Sequence, residues 1–149
     1  MYRDIRGAMV KFPYVADPHL TLAKAEIYMK ECNIRHLPII DQDQIVGLVS
    51  ERDLLRYKGQ EDYDWMTLDE LIEHKPFVVD QSEPLANVLN IMISSKYGSA
   101  LVVNKEQQLV GIFTTTDALR LLENYVSGDP QFKPDPNKVI HLKDVVGWN

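Results

Sequence analysis

Two short segments carry the residues that could do chemistry, GLVSERD at 47–53 and GIFTTTD at 111–117. Each reads glycine, two apolar residues, a hydroxyl residue, two variable residues and an aspartate. The aspartates, Asp53 and Asp117, stand 64 positions apart (117 − 53). A carboxylate can accept two hydrogen bonds from a cis-diol, as at other ribose sites. A hydroxyl at a helix start, Ser50 or Thr114, beside free backbone N–H groups suits a phosphate. A plainer role is open as well, because the helix dipole favours an aspartate in the first turn whatever it binds.

Other chemistries find no residues. His19, His36, His74 and His141 show no metal-ligand spacing, and Cys32 is the single cysteine. DQDQ at 41–44 is too short for a calcium loop. No G-x-S-x-G or other nucleophile motif occurs. The expectation is a protein that is no enzyme and has no metal, no cofactor and no catalytic residue, and that holds a ligand without transforming it. Cys32 is expected to be an inert buried thiol.

With 45% hydrophobic residues the chain can fill a core, and its net charge of −6 argues against a sequence-independent nucleic-acid binder. No window approaches 18 apolar residues, so no membrane span is expected. The first ten residues hold no apolar run of signal-peptide length, and a cytoplasmic location is the expectation.

The elements that must position the two aspartates are themselves repeated. Residues 20–56 align with 83–120 at an offset of 63 as far as Asp41, and of 64 after a one-residue insertion. Leu22 meets Leu85, Ala25 meets Val88, Met29 meets Met92, and Arg56 meets Arg120. Leu22, Ala25, Met29 and Cys32 recur at helical steps. Asp17-Pro18 and Ser82 with Pro84 stand as the start signals of that helix in the two copies. LPII and ALVV read as strands, DQDQ and NKEQQ as turns, and IVGLVS and LVGIFTT as returning strands. ERDLLRY and TDALRLLENY then open a second helix. Each copy is roughly β-α-β-β-α, led by YVA or FVV. A unit of about 60 residues makes a marginal core alone. The expected fold is therefore α+β, a sandwich-like pair of pseudo-twofold repeats packed through their sheets. Its expected divisions are 1–67, 68–125 and a tail over 126–149.

NIRHLPIIDQDQIVGLVSERDLL and KYGSALVVNKEQQLVGIFTTTDAL, with the helices before them, resemble the cystathionine-β-synthase (CBS) domain family. A tandem pair of such domains is called a Bateman module, and the resemblance covers roughly residues 9–125. It implies a regulatory module that binds an adenine nucleotide (AMP, ADP or ATP) in the cleft between the repeats. Asp53 and Asp117 would hold ribose hydroxyls, while Ser50 and Thr114 would touch ribose or phosphate. The favoured site would draw on Met9, Tyr14, Ile34, Arg35, His36, Ile112, Thr114, Thr116 and Asp117. A weaker one would draw on Ile72, Phe77, Tyr97, Gly98, Ser99, Leu48, Ser50, Arg52 and Asp53. The sites differ because Gly98-Ser99 replaces Arg35-His36 and leaves Arg52 as the only basic group. Tyr14 and Phe77 could line the adenine face or be plain core.

The resemblance also implies a homodimer formed through helices, for which Leu54-Leu55 and Leu119-Leu121-Leu122 offer more leucine than one core needs. The regulated partner protein is not named by the sequence. Alternatives to a nucleotide sensor are a ligand-free dimerisation scaffold, or a module for S-adenosylmethionine, NAD or a cyclic dinucleotide. The tail is expected to pack on the module or on a second subunit.

Overall fold

In the computed structural model, which describes residues 2–128, the chain forms two compact units. Among these residues one unit comprises 2–13 and 77–128, and the other 14–76. The tail beyond Gly128 lies outside the described residues, so its expected packing does too.

The unit of residues 14–76 is built on the first repeat. Helix α1 (Leu22–Cys32) buries Leu22, Ala25, Tyr28 and Met29. Its N-cap is Thr21, whose hydroxyl accepts from the Lys24 N–H at 3.4 Å. Asp17, expected as the start signal, instead accepts from the His19 N–H in the preceding turn. Strands β2 (His36–Asp41) and β3 (Gln44–Ser50) form an antiparallel hairpin. Gln42 and Asp43, both at positive φ, make its two-residue turn, the geometry that matches strand twist. Ala16 adds a parallel bridge to Ile39. Helix α2 (Glu51–Tyr57) and a 3-10 turn at Leu68–Leu71 complete the unit.

The other unit holds the second repeat. Helix α3 (Leu85–Ser95) follows strand β4 (Val78–Asp80), and strands β5 (Ser99–Val103) and β6 (Leu109–Thr114) precede helix α4 (Thr115–Ser127). Pro84 occupies the N-cap position of α3 and adds no side-chain bond. Ser82 belongs to a turn, where its N–H donates to Asp80. Strand β1 (Val10–Lys11) joins this sheet, whose order is β1-β6-β5-β4.

Repeat and compact unit therefore differ. Val10 and Lys11 pair with Ile112 and Gly111, so the N-terminal segment belongs with the second repeat's hairpin. Leu68 and Leu71 are buried in the first repeat's core beside Leu22, Leu37 and Val49. The leading segment of each repeat is thus bonded to, or packed in, the unit of the other.

The glycine that opens each motif has a steric reason. A Cβ on Gly111 would collide with the Met9 thioether and lie 2.8 Å from Met9 Cγ. A Cβ on Gly47 would lie 2.8 Å from Ile72 Cγ1. Met9 and Ile72 are themselves repeat equivalents (72 − 9 = 63). Met9 is thus core, and its approach to the strand requires the missing side chain. Gly111→Ala and Gly47→Ala are each expected to cost about 1 kcal/mol through overpacking, read as a lowered unfolding midpoint. A wild-type midpoint in either variant would show that the neighbour moves aside freely.

Candidate functional site

Both aspartates sit at N3 of their helices, three residues after a hydroxyl N-cap. In the first copy the Ser50 N–H and hydroxyl donate to Asp53 Oδ2 at 2.8 and 2.9 Å. Ser50 Oγ in turn accepts from the Asp53 N–H at 3.2 Å. In the second copy the Thr114 N–H and hydroxyl donate to Asp117 Oδ2 at 2.8 and 2.9 Å, and Thr114 Oγ1 accepts from the Asp117 N–H at 3.3 Å. These reciprocal bonds are capping boxes. The plainer role is therefore present, and it occupies one carboxylate oxygen in each copy.

Oδ1 is differently placed. Among the described residues the hydrogen bonds to both carboxylates go to Oδ2, and none is formed to Oδ1. The nearest cation is an arginine one turn on, with Arg56 Nη1 3.9 Å from Asp53 Oδ1 and Arg120 Nη1 3.9 Å from Asp117 Oδ1. A diol can thus meet one acceptor oxygen on each aspartate, one fewer than a free carboxylate offers. The Asp117 side chain is 6% exposed and that of Asp53 is 35% exposed, so the two charges are screened unequally.

The neighbours of each aspartate come from the strand paired with its own. Ser99 is paired with Thr114, and the Thr115 N–H donates to the Gly98 carbonyl at 3.1 Å. His36 is paired with Ser50, and the Glu51 N–H donates to the Arg35 carbonyl at 2.8 Å. Direct bonding thus groups Gly98 and Ser99 with Thr114 and Asp117, and Arg35 and His36 with Ser50 and Asp53.

Arg35 is 79% exposed and its Nε lies 3.8 Å from a Glu51 carboxylate oxygen. Glu51, one residue after the N-cap, was not singled out in the sequence; the signal was its place beside Ser50. Ile34, Leu48 and His36 are half-buried, Ile112 is buried, and Thr116 and Arg52 face solvent. Tyr14 is buried and meets Tyr28 edge-on at 5.8 Å, so it is core. Tyr28 donates its hydroxyl to the Val15 carbonyl. Phe77 stacks on the exposed Tyr97 ring with centroids 4.9 Å apart. Ile72 packs against the first repeat's core.

Cys32 is half-buried, less enclosed than expected, and burial pushes its thiol up from the ordinary range. A thiol held protonated is a poor nucleophile. Among the described residues no group of three His, Cys, Asp or Glu side chains could hold a metal ion, and no helix is long and apolar enough to cross a membrane.

The chain is similar to hypoxic response protein 1 of Mycobacterium tuberculosis, at 33% identity over 127 residues covering 83% of this chain and 85% of the relative. A crystal structure of hypoxic response protein I with two coordinated zinc ions superposes with a TM-score of 0.68 at 29% identity, covering 78% of this chain and 97% of that one. A crystal structure of the CBS domain pair of protein MJ0100 in complex with 5′-methylthioadenosine and S-adenosyl-L-methionine superposes with a TM-score of 0.72 at 25% identity, covering 80% and 98%. The chain spans 66%, 37% and 23% of the lengths of three further curated relatives. The CBS domain model matches twice, over residues 3–59 and 68–124. These two matches take in both capping-box aspartates and most of the described residues, and the chain belongs to the CBS domain family as a tandem pair of such domains.

Proposed function

We propose that this CBS pair is a regulatory module that binds an adenosyl ligand, with AMP, ADP and ATP as the preferred class. The observation that carries the reading is the doubled hydroxyl-x-x-Asp capping box, which fixes a carboxylate through Oδ2 and leaves Oδ1 outside the cap. A pre-fixed acceptor binds without losing rotamer freedom, which favours affinity. The similarity to a domain pair solved with 5′-methylthioadenosine and S-adenosyl-L-methionine supports an adenosyl moiety as the shared chemistry. The ligand contacts assigned to the favoured site are Ile112, Thr114, Thr116 and Asp117, all in the second repeat. Their repeat equivalents Leu48, Ser50, Arg52 and Asp53 make up the weaker one. No step of catalysis is assigned to any of them. Calorimetry with AMP, ADP, ATP and S-adenosylmethionine tests the reading, and a flat titration for all four at millimolar ligand would remove it.

Helix α4 favours a further element of the reading, a homodimer. Leu119, Leu122, Tyr125 and Val126 are exposed on it, as is Leu55 on α2. Leu54 and Leu121, expected on the same surface, pack into the two cores instead. An exposed apolar stripe of this kind suits an association surface. Leu122→Glu is expected to shift the species in light scattering from a dimer to the 17.1 kDa protomer. A wild-type protein of protomer mass at all concentrations would rule the dimer out. A dimer that binds none of the four ligands would make the protein a scaffold.

A further inference from the structure

We infer that Arg120 sets the charge class of ligand accepted beside Asp117, making that site tolerant of a phosphate monoester. The inference rests on the adenosyl-ligand reading and sharpens it. Asp117 Oδ2 is committed to Thr114, so Oδ1 is the oxygen a ligand would meet. The side chain is 6% exposed, and its charge reaches a bound ligand with little screening by water. A buried carboxylate standing alone would repel a nearby phosphate.

Arg120 Nη1 lies 3.9 Å from that same Oδ1, and the arginine side chain is 39% exposed. The separation exceeds hydrogen-bond length, so the guanidinium offsets the charge without taking the acceptor position. It is a positioning and compensating group and not a substitute for the ligand.

The repeat supplies an internal comparison. Arg56 stands at the same 3.9 Å from Asp53 Oδ1, but its side chain is 66% exposed and that of Asp53 is 35% exposed. Water screens that pair more, and its influence on ligand charge is smaller. Arg35, in the first repeat, is already offset by Glu51 at 3.8 Å, and both are solvated. Among these three arginines, Arg120 is the one set against a buried carboxylate.

The test compares AMP, adenosine and S-adenosylmethionine, whose charges near the ribose are negative, zero and positive at sulfur. Arg120→Gln is expected to weaken AMP by about five- to tenfold, to change adenosine by less than about twofold, and to strengthen S-adenosylmethionine relative to AMP. Arg120→Lys is expected to restore the AMP preference, and added salt to erode it in wild type but not in Arg120→Gln. A thermal melt checks that the variants fold; a structural role alone would lower the midpoint and weaken all three ligands together. An unchanged ratio of AMP to adenosine affinity in Arg120→Gln overturns this inference and leaves the parent reading standing. A wild-type protein that binds none of the three overturns both.

Discussion

Asp117→Ala is expected to weaken binding of an adenosyl ligand by about ten- to a hundredfold, the cost of a charged hydrogen-bonding partner at roughly 1.5–3 kcal/mol. The same change removes the capping box of α4, because Oδ2 accepts both the Thr114 N–H and its hydroxyl. Loss of a cap costs about 1 kcal/mol, so the ligand-free unfolding midpoint is also expected to fall. The two effects separate with a 2′-deoxy ligand. It should bind wild type less well than the ribo form, and Asp117→Ala should no longer distinguish them. Asp53→Ala is expected to have the smaller binding effect, because its carboxylate is more exposed. If both variants bind like wild type while melting earlier, the aspartates are helix caps and nothing more.

Glu26→Gln is expected to lower stability by about 2 kcal/mol. Glu26 on α1 joins three groups. Its Oε1 accepts from Lys58 and, at 3.1 Å, from Lys30, and its Oε2 accepts from the Tyr63 hydroxyl at 3.0 Å. Lys58 and Tyr63 follow α2, so this one carboxylate ties the segment after α2 to α1. The Lys58 bond, with those of Lys30 and Tyr63, holds the carboxyl down at about 2 against an ordinary 4.5. A carboxylate held low when folded contributes stability that is complete above its unfolded value and is lost as pH falls through the folded one. Wild type should therefore lose this contribution between about pH 4.5 and 2, and Glu26→Gln should show a shallower decline there. The full shift would correspond to about 3 kcal/mol, and the 20% exposure of the side chain reduces it. Parallel acid-denaturation curves for the two proteins would show that the network adds nothing.

The sequence by itself determined the elements and their doubling. The apolar steps Leu22, Ala25, Met29 and Leu85, Val88, Met92 mark helix faces that the structure buries, and LPII and ALVV form strands as read. Even the irregularities repeat, with register shifts after Ile39 and after Val102 (102 − 39 = 63). Such features are legible because periodicity and turn chemistry act between residues close in the chain. The capping boxes are legible for the same reason, since their partners lie three residues apart.

Only the tertiary structure decided the rest. That the N-terminal segment joins the second repeat's sheet depends on hydrogen bonds from Val10 and Lys11 to residues about a hundred positions away. No local pattern encodes such a partner. The role of Gly47 and Gly111 appears only once Ile72 and Met9 are seen to press on them. Leu54 and Leu121 pack inward while Leu55, Leu119 and Leu122 face solvent, a choice set by what each helix packs against. The Glu26 network spans 32 and 37 positions, and the unequal burial of Asp53 and Asp117 arises from packing around two near-identical local motifs. Local chemistry placed the same carboxylate twice; its surroundings, assembled from distant parts of the chain, made the two copies different.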